Sequence, residues 1–320
     1  MIPRVLITGR DGQLGFELRR TLSPLANITA VDIDNVDLRD LAAVRQLVRT
    51  HRPDIIVNAA AYTAVDRAET ERELAHTINA EVPKVLAEEL NHLGGRLIVH
   101  YSTDYVFDGA ASRTYLETDS PNPTNVYGES KLAGERAVER AGVPYVVLRT
   151  QWLYGTRGAN FLLTILRLAR QGKPLRIIAD QYGAPTWARM LAEASALVVG
   201  QCIHASSAEV AARSGLYHLT AAGQTTWHGF TEAILKESCL RLQQLGRSID
   251  WCMAALSSLT PISTADYPLP ARRPAFAVLS NDKIERVFGI RLPDWRTHLQ
   301  LALESFDFPE ETAPTATRRE

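Results

Sequence analysis

The chain has 320 residues, enough for about two domains or one large domain with an insertion. Apolar residues make up 46% and charged residues 22%, which excludes a disordered chain, and 35 basic against 36 acidic residues leave a net charge of -1. With no global field to draw nucleic acid or a membrane surface, a small-molecule ligand is the default. Cys202, Cys239 and Cys252 are odd in number and lack metal-ligand spacing, so they read as buried free thiols in a reducing compartment. Met1 to Ile7 runs straight into an apolar strand with no room for a signal peptide, and no window reaches the apolar length of a membrane span. The expectation is a cytoplasmic protein.

Short β-branched runs at Val5 to Thr8, Ile28 to Ile33, Asp54 to Ala59, Arg96 to Ser102 and Tyr145 to Arg149 alternate with helical patterns. That alternation predicts βαβ units, hence an α/β, doubly wound parallel sheet of the Rossmann type. The first run ends in Gly9-Arg10-Asp11-Gly12-Gln13-Leu14-Gly15, directly before a helical pattern. Glycines there allow a tight turn and let a pyrophosphate approach backbone N–H groups at a helix N-terminus, so the stretch predicts dinucleotide binding. Asp32 and Asp34 sit at the end of the second run, where an acidic side chain holds the adenosine ribose and favours NADH, and Asp37 and Leu38 complete that candidate end. Arg10 and Arg39 could instead accept the 2′-phosphate of NADPH, and both cofactors stay open. The third run leads into Ala60, Ala61, Tyr62 and Val65, a stretch rich in small residues that lets a flat ring lie close to the backbone. The fourth ends in Ser102-Thr103-Asp104-Tyr105, bringing hydroxyls to the carboxyl edge of the sheet, where such folds bind ligands. His100, inside that run, reads as core.

Tyr127 and Lys131 lie four residues apart, on one face of a helix. A phenol beside an ammonium can serve as general acid or base, the lysine charge favouring the ionised phenol and lowering its pKa. With the glycine turn, the alanine-rich strand end and the Ser-Thr-Asp strand end, this Y-x-x-x-K helix resembles the extended short-chain dehydrogenase/reductase family. Gly12 to Gly15, Ser102 to Gly109, Asp180 to Thr186, Gly215 to His218 and Thr226 to His228 are similar to members that reduce a dTDP-linked 4-keto sugar.

The resemblance implies NADPH or NADH as cofactor, Tyr127 as the acid, Lys131 on the nicotinamide ribose and Thr103 on the reacting oxygen. It places Val65, Asp104, Trp152 and Arg273 around the nucleotide sugar. Tyr105 stands where related dehydratases carry a second carboxylate, so elimination of water is disfavoured. Some members form dimers bridged by Mg²⁺ through glutamates. Glu17 matches one such position, but Arg189 occupies the other, so the expectation is no metal and a monomer or weak homodimer. A nucleotide-sugar epimerase, a reductase of another sugar, and a non-catalytic NAD(P)-binding subunit are the alternatives.

Beyond Thr150 the alternation becomes irregular, so residues 1–150 read as the dinucleotide-binding domain and 151–306 as mainly the substrate domain. Trp152, Tyr182, Trp187 and Trp227 are spread over loops and helix starts, and most of them read as packing. Trp152, following the fifth strand, is the expected pocket wall. Ser263 to Pro274 reads as a surface loop able to close over substrate, and residues 307–320 as a frayed tail.

Overall fold

The computed structural model describes residues 2–308. Strands β1 (Arg4–Thr8), β2 (Asn27–Val31), β3 (Ile55–Asn58), β4 (Leu97–Thr103) and β5 (Tyr145–Thr150) fall on the five predicted runs, each within about two residues. A sixth, β6 (Gly215–His218), returns from the second half of the chain to pair with β5. All pairings are parallel and the order is β2-β1-β3-β4-β5-β6, a doubly wound sheet. The order reverses between β1 and β3, and a crevice opens there at the carboxyl ends of the strands.

Period-two alternation sorts each strand between two cores. Val5, Ile7, Ile55, Val57, Leu97, Val99, Val146 and Leu148 face one cluster, while Leu6, Ile56, Ile98 and Val147 face the other. Burying each such side chain contributes about 1.5–3 kcal/mol, so a one-residue slip in register would be costly everywhere at once. The first face is covered by α1 (Gln13–Leu22) and by a long helix from the second half, Ala188–His204. The other is covered by α2 (Leu41–His51), α3 (Val82–His92) and α4 (Val126–Arg140). A third cluster joins helices Phe161–Arg170, Trp227–Gln244, Asp250–Ser258 and Trp295–Glu304 around Tyr154, Phe230 and Trp295.

Several expectations need correction. Cys239 and Cys252 are paired as a disulfide between two helices, and only Cys202 is a buried free thiol. They lie 13 positions apart in sequence, and the packing of the two helices brings them together. Phe308, assigned to the frayed tail, is buried in the third cluster, and its carbonyl accepts from Arg247. Residues 309–320 of that tail lie outside the described residues. The Ser263 to Pro274 segment is exposed over residues 264–270, as a surface loop, and its end is anchored, with Ala271 and Pro274 buried and the Arg272 carbonyl accepting from Asn125 Nδ2 at 2.7 Å. Glu17 pairs with Arg20 and Arg189 with Glu193. Among the described residues no helix is long and apolar enough to cross a membrane.

Candidate active site

A cleft of about 970 Å³ runs along the carboxyl edge of the sheet, from the ends of β1 and β2 to the start of α4. At one end Gly9 sits at φ +76°, and a β-carbon there would come within 2.7 Å of the Ala60 nitrogen. Only glycine permits both that turn and that approach. Gly12 caps α1 without a side-chain hydrogen bond, leaving first-turn N–H groups for a ligand, and Gly12, Gln13 and Leu14 line the cleft. Asp32 braces this loop: its Oδ2 accepts from the Asp11 N–H at 2.8 Å and its Oδ1 from the Ile33 N–H at 2.8 Å.

At the other end, α4 is set by Asn125, whose Oδ1 accepts from the Gly128 N–H at 2.8 Å. Gly128 lets the helix press on the preceding loop, since a β-carbon would come within 2.1 Å of the Tyr105 carbonyl oxygen. The contact fixes the first turn, so Tyr127 and Lys131 both face the cleft with Thr103 and Asp104 from the end of β4. Thr103 Oγ1 donates to Asp104 Oδ1 at 3.0 Å and accepts from the Tyr105 N–H at 3.2 Å. The Tyr105 ring stands edge-on to Tyr127, centroids 5.6 Å apart, and both rings line that side of the cleft.

Burial sets the electrostatics. Tyr127 is pushed up to about 12 by loss of solvent, against the lowering effect of Thr103, with the Asp104 charge adding to the rise. This is opposite to the lowering expected from Lys131: burial dominates and holds the phenol in its proton-bearing form. Lys131, 2% exposed, is itself brought down to about 8 by burial, with Glu135 opposing. Its Nζ lies 3.5 Å from Nε2 of His100, whose Nδ1 meets Asn58 Nδ2 at 3.0 Å, and Thr8 Oγ1 donates to Asn58 Oδ1 at 2.6 Å. His100 is buried as expected, yet it also supports the ammonium. Asp104, 2% exposed, is raised to about 7 by burial, opposed by the Thr103 hydrogen bond.

Four buried polar atoms of residues lining the cleft lack a protein partner: Gln13 Oε1, Ser102 Oγ, Asp104 Oδ2 and Thr150 Oγ1. Buried polar groups are ordinarily paired, so these fit a polar ligand. Trp152 follows β5 at φ +45°, a strained value for a non-glycine residue, and stacks on Trp227 with centroids 3.6 Å apart. Both rings line the cleft.

Of the sequence candidates, Gly9, Asp11, Gly12, Gln13, Leu14, Asp32, Asp37, Leu38, Ala60, Ala61, Val65, Thr103, Asp104, Tyr127, Lys131 and Trp152 line this one cleft. Four stand behind its wall. Gly15 packs on the Gly9 carbonyl, Arg10 is held by carboxylates, and Tyr62 Oη donates to Glu71 at 2.6 Å. Arg273 makes a bidentate pair with Asp66, at 3.0 and 2.7 Å. Sequence reasoning gave no role to Asp66 or Asn125 and grouped Trp227 with the aromatics read mostly as packing. Asn125 carried a signal, an Asn three residues before a helical glycine; Asp66, 207 positions from its partner, carried none.

The model of the family described as RmlD substrate binding domain matches residues 3–308. A dTDP-4-dehydrorhamnose reductase of Burkholderia thailandensis is 46% identical over 294 residues, covering 92% of this chain and 95% of that protein. One from Escherichia coli K12 is 41% identical over 303 residues, covering 93% and 96%. A crystal structure of dTDP-4-dehydrorhamnose reductase from Bacillus anthracis in complex with NADP has a TM-score of 0.81 at 33% identity, covering 95% of this chain and 99% of that one.

Proposed function

This chain belongs to the RmlD substrate binding domain family, and from that membership we infer its reaction: NAD(P)H-dependent reduction of the C4 ketone of dTDP-4-dehydro-L-rhamnose, the last step of dTDP-L-rhamnose synthesis. The observation that carries this reading to individual atoms is the convergence of Thr103, Asp104, Tyr127 and Lys131 on one end of a cleft with a glycine cradle at the other.

The residues present fit a dinucleotide. The open cradle at Gly9 and Gly12 and the uncapped N–H groups of α1 suit the pyrophosphate. Asp32 offers carboxylate lone pairs to ribose hydroxyls, the alanines at 59–61 leave room for a flat ring, and Lys131 holds the nicotinamide ribose. NAD(P)H bound there supplies the hydride.

The protein's own work is then proton delivery and orientation. Negative charge builds on the carbonyl oxygen during reduction, and Tyr127, kept protonated by its burial, donates to that oxygen. Thr103 turns its hydroxyl to the same atom, a preorganised donor where charge develops. Lys131, charged below its depressed pKa of about 8, adds positive potential next to the transfer. Asp104 leaves Oδ2 for a sugar hydroxyl, and the Trp152–Trp227 stack gives the sugar a flat wall. Helices of the second half, from Phe161 onward, form the lobe that holds the nucleotide sugar, while Ala188–His204 and β6 serve the dinucleotide lobe.

The test is loss of nicotinamide absorbance on mixing protein, NADH or NADPH, and dTDP-4-dehydro-L-rhamnose. Stoichiometric oxidation with formation of dTDP-L-rhamnose is expected. Absence of oxidation with either cofactor, in protein that is folded and binds the nucleotide, would remove the reading.

A further inference from the structure

The adenosine end of the cleft is built from the loops after β1 and β2, and those loops carry two guanidiniums, Arg10 and Arg39. Either could in principle meet a 2′-phosphate, a group carrying close to two negative charges at neutral pH. Both are already engaged. Arg10 donates through Nε and Nη2 to Asp11 at 3.0 and 2.6 Å, through Nη2 to both Asp34 oxygens at 2.9 Å, and through Nη1 to Asn35 Oδ1 at 2.8 Å. Arg10 does not line the cleft. Arg39 does line the cleft, but its Nε and Nη2 are clamped on the two oxygens of Asp37 at 2.5 to 2.9 Å. A guanidinium forked onto a carboxylate has spent the same paired geometry by which it would recognise phosphate.

Beyond the two clamps, the charges near this end are Asp32 and, at longer range, Arg19 and Arg157. Among the described residues Asp32 makes no salt bridge: its oxygens accept backbone N–H groups and keep lone pairs suited to hydroxyl donors, whereas a phosphate offers only further negative charge. Arg19 and Arg157 act on Asp11 only as weaker, longer-range charges behind Arg10.

Resting on the dinucleotide reading above, we propose that the Asp11–Arg10–Asp34 and Asp37–Arg39 clamps make this protein selective for NADH over NADPH, with Arg10 and Asp34 as specificity-determining residues. The clamps withdraw the two cations a 2′-phosphate needs, and Asp32 rejects it directly. Selectivity here is a difference between two affinities, and a repulsive carboxylate contributes to it as much as any attraction.

The proposal is tested by binding, independently of turnover. NADH and NADPH are titrated into the full-length protein at low salt, following nicotinamide fluorescence, with adenosine 5′-monophosphate and adenosine 2′,5′-bisphosphate as competitors. NADH is expected to bind on the order of tenfold or more tighter than NADPH, with a ratio that shrinks as salt rises. The Asp11→Asn, Asp34→Asn double variant, which releases Arg10, should tighten NADPH binding by about tenfold relative to NADH, and adding Arg10→Ala should reverse that gain. Equal or tighter binding of NADPH by the unaltered protein overturns the proposal, as does a ratio that the double variant leaves unmoved. A reversed ratio with normal sugar reduction overturns the selectivity alone. Failure of both dinucleotides to bind a folded protein overturns the cofactor reading with it.

Discussion

The two ends of the cleft use the same residue types in opposite regimes. At the adenosine end, Asp11, Asp34 and Asp37 are solvated, each is paired with a nearby arginine, and the carboxyls of Asp11 and Asp37 lie below the usual range because of those partners. At the reaction end, Asp104, Tyr127 and Lys131 are withdrawn from water, and burial displaces all three toward their neutral forms. Exposed charges select which ligand approaches. Desolvation keeps Tyr127 protonated and brings Asp104 and Lys131 close to neutral pH.

The sharpest break of this contrast is Tyr127→Phe, which removes one oxygen at the reaction end. Turnover is expected to fall about 10²–10⁴-fold while NADH titrates as before, measured by nicotinamide absorbance and fluorescence on the same preparation. Unchanged turnover would take the proton from another donor.

Next in size is Asp104→Asn. The folded-state pKa of Asp104, about 7, lies above its ordinary 3.8, so its contribution to stability is full below pH 4 and is lost as pH rises through 7. Asparagine keeps an oxygen for Thr103 and has no proton to lose. The variant should therefore melt at a higher temperature than the parent at pH 8, by a difference corresponding to about a few kcal/mol that narrows below pH 7 and closes near pH 4, while kcat/KM drops. Parallel melting curves at every pH would show that Asp104 is not desolvated.

His100→Phe removes a side chain that meets Lys131 and Asn58 in a fully buried position. Leaving those groups unpaired should cost about 1–3 kcal/mol in denaturant unfolding and shift the alkaline limb of the kcat profile, where Lys131 loses its charge above about pH 8. His100→Gln, which restores a polar partner, should recover most of the stability. At the exposed end, Asp37→Asn breaks the clamp on Arg39 in open solvent, and no measurable change in melting temperature is expected at physiological salt.

Much of the fold was legible because its signals are local. Alternating apolar runs placed five strands, and the cradle could be read from Gly9, Gly12 and Gly15 because a turn constrains its own few residues. The candidate site was legible as residue types at strand ends, since a doubly wound sheet sends those ends to one edge. The pairing partners were not. Arg10 could have served a phosphate until Asp34, 24 positions on, was seen to hold it. Arg273 meets Asp66 across 207 positions, and Cys239 reaches Cys252 through helix packing. Trp227 joins Trp152 only when the third cluster folds.

The sequence by itself determined that a glycine cradle, a hydroxyl-bearing strand end and a Tyr127–Lys131 helix would share one sheet edge, because backbone geometry and period fix such things from neighbouring residues alone. Only the tertiary structure decided the protonation of that edge and the availability of its cations. Tyr127 sits at about 12 instead of below its ordinary value because desolvation is a property of everything packed around it. A charge's partner, likewise, is whichever opposite charge the fold brings within a few ångströms, and no local pattern encodes that distance.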